Sequence, residues 1–138
     1  MGSAPLDPNA FIDEHLGQVS DGTALMGHVH LKVGDLTEAE EFYADALGFA
    51  VTARSDGALF FAADGYHHHL ATNIWQSAGA GERVNPTGLG SFEVTVPATM
   101  DLDAVAERLD SSGHDYTLSG ESLSAADPWG NEVRVRVG

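Results

Sequence analysis

Cysteine is absent from the 138 residues, which excludes disulfides, thiolate nucleophiles and thiolate metal sites. Lysine is almost absent: Lys32 is the only one, and the six basic residues face 21 acidic ones, for a net charge of −15. Nucleic acid is thereby excluded as a partner, because phosphate contacts need lysine and arginine in number. No apolar run approaches the roughly 18 residues that span a bilayer, and the N-terminus lacks a basic and apolar leader, so no membrane association and a cytoplasmic location are expected.

What is abundant is carboxylate, with 43% hydrophobic residues behind it, enough for one domain with a real core. Many Asp and Glu beside one lysine look like the proteins of salt-in halophiles. There the Debye length falls to about 3 Å and self-repulsion is screened. Residues 1–25, rich in Pro, Gly, Ser and Asp, read as an extension or linker with a short helix at 9–16. The ordered domain is expected over 26–138.

Within it one pattern occurs twice. GHVHLKV alternates apolar and polar residues and predicts a strand at 27–33. In DLTEAEEFYADALG, Thr37 and Glu40 have capping-box spacing, Ala39, Phe42, Tyr43, Ala46 and Leu47 share a helical face, and Gly48 stops the helix. FAVTARS, GALFFAA and HHLATNIW are three further strands. GSFEVTV, the helical MDLDAVAERLDSSG with Leu102, Val105 and Leu109 on one face, and then DYTLSG, SLSAA and NEVRVRV repeat the order. Ala62-Ala63-Asp64 returns as Ala125-Ala126-Asp127, a period of about 63 residues. The expected fold is α+β: two βαβββ modules, about 26–75 and 88–137, joined into a curved eight-stranded sheet with helices outside.

That order, opened by GHVHLKVGDLTEAEEFYADALGF and closed by DPWGNEVRV, resembles the vicinal oxygen chelate superfamily of glyoxalases, bleomycin-resistance proteins and extradiol dioxygenases. GYHHHLATNIW followed by TGLGSFEVTVP is similar to the C-terminal half of catechol-2,3-dioxygenase-like proteins. The resemblance implies a divalent metal, Fe(II) or Mn(II) with Ni and Zn as competitors, in a cup of the sheet. Its ligand positions fall on His28 and His69 in the first module and on Ser91 and Arg134 in the second. Alternation adds His30, His67, Glu93 and Glu132 to the cup face and points His68 away from it. Glu93 and Glu132 are the carboxylates that could complete a site. His30, His67, Ser91, Arg134 and Trp75 would line the substrate pocket, with Trp129 a further wall. The implied activity is ring cleavage of a small catecholic substrate by a homodimer. Two alternatives stay open: a metal-free binding module of the bleomycin-resistance type, and a glyoxalase-like lyase. No catalytic residue is assigned.

Overall fold

The structure, a computed structural model, describes residues 7–15, 26–84 and 87–138. Of the N-terminal extension it shows helix α1, Pro8–His15, whose first turn is capped by the Asp7 carboxylate accepting from the Asn9 and Ala10 amides. The rest of 1–25 lies outside the described residues. No helix among them is long and apolar enough to cross a membrane.

The first module runs β1 (Val29–Lys32), α2 (Leu36–Glu40, continuing as a π-helical segment, Glu41–Ala46), β2 (Ala50–Ser55), β3 (Ala58–Ala62) and β4 (Leu70–Asn73). The second runs β5 (Ser91–Val96), α3 (Thr99–Ser112), β6 (Tyr116–Ser119), β7 (Ser122–Ala126) and β8 (Glu132–Val137). The sheet orders are β1-β4-β3-β2 and β5-β8-β7-β6, so the internal repeat is a repeat of topology. In each, the first strand pairs parallel with the last and the remaining pairs are antiparallel. Hydrogen bonding therefore forms two four-stranded sheets rather than one of eight. Their outer strands β1 and β5 stand apart, with open space between residues 26–29 and 91–95.

One core joins the modules. Leu31, Val33, Phe42, Tyr43, Phe61 and Leu70 of the first pack with Leu102, Val105, Leu109, Leu123, Val133 and Val135 of the second. The expected helical faces are buried as the periodicity requires. The expected cap is not the one used: Asp35, not Thr37, precedes the first helix, and its carboxylate accepts from the Thr37 and Glu38 amides at 2.7 and 3.0 Å. An aspartate two residues earlier holds the helix N-terminus better than a threonine already inside the turn. Gly48 is required where it stands. Its φ is +91°, and a Cβ there would lie 2.7 Å from the Arg108 guanidinium, which donates to the Ala46 and Leu47 carbonyls.

The second tie between modules is the Asp127-Pro128-Trp129-Gly130-Asn131 turn. The buried Asp127 carboxylate accepts from the Trp129 and Asn131 amides, the Asn131 side-chain amide and the Tyr43 hydroxyl, the last at 2.7 Å. Burial, then the carboxylate itself, pushes the Tyr43 hydroxyl well above the ordinary tyrosine range, so it remains a donor at any ordinary pH. Tyr43→Phe removes one of the four donors and leaves the others. The expected cost is about 1–3 kcal/mol, read as a lower urea midpoint at unchanged slope. An unshifted midpoint would show that the hydroxyl contributes nothing to holding the modules together.

Candidate metal centre and ligand cavity

Alternation along β1 sends Leu31 and Val33 into the core and His30 and Lys32 to the opposite face, which His28 extends. On that face a small apolar floor of Ala58, Phe60 and Ala71 lies under the histidines. The His68 ring is 4.4 Å from that of His28, 4.6 Å from His67, 5.7 Å from His30 and 5.1 Å from Phe60. His28, His67 and His68 each present a ring nitrogen within 4.8 Å of the other two. His68 therefore belongs to the cluster instead of facing away. The reason is local. Strand β4 begins only at Leu70, and the chain bends through Gly65–His69 after Asp64 and Gly65, both at positive φ, so two-residue alternation does not reach back to His68. Thr52 pins this bend by donating its hydroxyl to the His67 carbonyl at 2.6 Å.

His68 is 6% exposed, and neither of its ring nitrogens has a hydrogen-bond partner. Burial first, then the neighbouring imidazoles of His28, His67, His30 and His69, holds its pKa below the ordinary histidine value. The neutral form is favoured, and that is the form that ligates metal. His69 is differently engaged. Its Nδ1 accepts from the Ala63 amide at 3.3 Å, and its ring stacks on Tyr66 at 4.6 Å.

The space between β1 and β5 is a cavity of about 620 Å³ lined by His28, His69, Ser91 and Glu93, with Phe49, Phe92 and Leu89 as apolar wall. Four of the expected residues thus meet there, and His28 borders both this cavity and the histidine group. Of the other expected residues, His67 joins the histidine group, and Glu132, Arg134, His30 and Trp75 stand outside this cavity. Glu93 pairs with Arg136 at 2.5 Å and Glu132 with Arg134 at 2.8 Å, on the face of the second sheet away from the core. His30 turns toward a neighbouring cleft that Trp129 also lines. Trp75 is 52% exposed and covers the β2–β3 turn, donating from its indole to the Asp56 carbonyl above Gly57. His68 and Thr52 are the participants that alternation alone misses. The Asp64-Gly65 turn, so close to the histidine run, is the one signal that could have found them.

The profile of the Glyoxalase/Bleomycin resistance protein/Dioxygenase superfamily matches residues 25–135, and the chain belongs to that superfamily. It is 40% identical over 107 residues, 75% of its own length, to a catechol-2,3-dioxygenase of Bacillus subtilis (strain 168). The match spans 38% of the length of that relative. Among solved structures, a glyoxylase/bleomycin resistance protein/dioxygenase domain from Frankia sp. EAN1pec superposes with a TM-score of 0.64 at 22% identity, covering 85% of this chain and 93% of that one. A lactoylglutathione lyase from Agrobacterium tumefaciens gives 0.60 at 24% identity, covering 86% and 96%. These structural likenesses establish the fold.

Proposed function

We propose that the chain holds a divalent metal on His28, His67 and His68 and, beside it, a small catecholic molecule in the cavity between β1 and β5, as part of an extradiol ring-cleaving dioxygenase. The observation that carries this reading is His68, buried with both ring nitrogens unpartnered against two further imidazoles. Leaving a buried polar group unsatisfied costs about 1–3 kcal/mol, and a bound cation satisfies the ring nitrogen that it takes. Fe(II) or Mn(II) suits neutral imidazoles and, when bound, supplies Lewis acidity toward ring oxygens and electrons toward dioxygen; Ni(II) and Zn(II) compete for the same donors.

The chain's own contribution is positional. Phe49, Phe92 and Leu89 give an aromatic ring an apolar wall. His69, its Nδ1 taken by the Ala63 amide, carries its proton on Nε2, where a ligand hydroxyl can exchange with it. Pairing with Arg136 offsets the charge of Glu93 at the cavity wall, so it does not repel a catecholate. The 40% identity to a catechol-2,3-dioxygenase supports the substrate class. The homodimer and the cytoplasmic location belong to the same proposal.

A second reading rests on a specific feature. Both candidate carboxylates are occupied by arginines, and the group with ligand geometry contains histidine alone. A metal-free binding module would look the same. Chelator-treated protein titrated anaerobically with Fe(II), Mn(II), Ni(II) and Zn(II) separates the two readings. Uptake is expected, followed by conversion of catechol in air to a ring-opened product that has gained both oxygens of O2, detected by mass. Absence of uptake would leave the binding module as the function.

A further inference from the structure

The opposite end of β1 carries a second, differently charged opening. A cleft of about 460 Å³ is lined by His30, Leu31, Lys32, Arg83, Leu89 and Trp129, among others. In a chain with six basic residues and a net charge of −15, two of the six meet here, and no aspartate or glutamate stands among the described lining residues. Glu82 lies outside the lining, beside Gly130. Three of the other cations are paired with carboxylates, Arg54 with Glu40, Arg134 with Glu132 and Arg136 with Glu93, and Arg108 donates to helix carbonyls.

We propose that this cleft binds the carboxylate of a small aromatic acid through Lys32 and Arg83. Arg83 is already positioned: its Nη2 donates to the Lys32 carbonyl at 2.8 Å and to Asn131 Oδ1 at 2.7 Å. Both bonds use the same nitrogen, which leaves the rest of the fork to face an anion without an ordering cost at the moment of binding. Lys32 Nζ lies 3.4 Å from Gln76 Oε1, a long contact to an uncharged acceptor that a carboxylate displaces readily. The aromatic part of the ligand follows from Leu89, which is exposed, and from the Trp129 ring, an indole immobilised by its bond to the Ala80 carbonyl at 2.9 Å. His30 borders the cleft and lies 6.0 Å, ring to ring, from His28. A ligand anchored on Lys32 and Arg83 therefore sits alongside the histidine group, and Leu89 borders both this cleft and the cavity between the sheets. This adds an acidic aromatic to the ligands of the proposed function, but the cleft's own residues carry it with or without a metal.

The single lysine makes the test direct. The chelator-treated 138-residue chain is acylated with an amine reagent at constant ionic strength, and modification at Lys32 is followed by peptide mass spectrometry. Benzoate at ten times its dissociation constant is expected to slow Lys32 acylation about tenfold, whereas benzamide and inorganic phosphate leave it nearly unchanged. In calorimetry, Lys32→Gln should bind benzoate about tenfold more weakly and Lys32→Arg should retain most of the affinity. Unprotected Lys32 at saturating benzoate, equal protection by benzamide or by phosphate, or undiminished benzoate binding by Lys32→Gln would each overturn the assignment. Metal uptake plays no part in either readout, so failure here and failure of the metal site are separate results.

Discussion

His68→Ala is expected to lower divalent-metal affinity by about a hundredfold or more, the scale at which even the partners of a ligand act, while His69→Ala costs about tenfold or less. The asymmetry follows from how the two imidazoles are engaged. His68 is buried, unpartnered and within ligand distance of His28 and His67. His69 is bonded to the Ala63 amide and stacked on Tyr66, outside that group. The metal-free proteins are expected to behave in the opposite sense. Removing a buried imidazole that makes no hydrogen bond deletes an unsatisfied polar group, offsetting much of the cavity left behind. His68→Ala should therefore melt within a few degrees of the metal-free wild type. Saturating metal at a hundred times its dissociation constant stabilises the wild type by about 2.7 kcal/mol, on the order of 10 °C for a domain of this size, and should give His68→Ala about 0.4 kcal/mol or less. Anaerobic calorimetry with a melting series at fixed metal concentration reads both quantities. If His69→Ala proves the more damaging, the ligands are His28 and His69, as the family positions imply.

The same contrast shows what alternation and helical spacing can carry. Strands and helices were legible because each buries one face: Leu31 and Val33 against His30 and Lys32, or Leu102, Val105 and Leu109 along α3. The repeat made the doubled topology legible as well. The gap between β1 and β5 was not, because nothing in either strand records whether its free edge meets another strand or open space. Trp75 illustrates a tertiary effect of the same kind. An aromatic at a strand end suggests a pocket wall, but Gly57, without a Cβ, lets the indole fold onto the neighbouring turn. His28, His69, Ser91 and Glu93 do share a cavity, since the topology brings the start of each first strand to one seam. His68 escaped because the rule used to orient it applies only inside a strand, and β4 starts two residues later.

A steep gain in stability with salt is the other large effect expected. The charge of −15 is distributed over a domain of about 14 Å radius of gyration. At 0.1 M ionic strength the Debye length, about 10 Å, leaves repulsion across such a domain only partly screened; at 1 M it is about 3 Å and acts only between neighbours. Treated as a uniformly charged sphere, the folded chain loses several kcal/mol of self-repulsion between those conditions, roughly 7 in water's dielectric constant. The expanded unfolded chain loses less, so a few kcal/mol appear as net stabilisation. Compensation within the fold is slight: the three ion pairs among the described residues, Arg54–Glu40, Arg134–Glu132 and Arg136–Glu93, are all largely exposed and contribute little individually. Salt weakens those pairs, but the repulsion it removes is larger, so the sign is stabilising. A rise of about 10 °C or more in melting temperature from 0.1 M to 1 M KCl is expected. Potassium sulfate would confuse screening with enhanced apolar burial, so chloride is the salt to use. A melting temperature flat across that range would remove the halophilic reading and leave an ordinary acidic protein whose carboxylates are spaced widely enough to ignore one another.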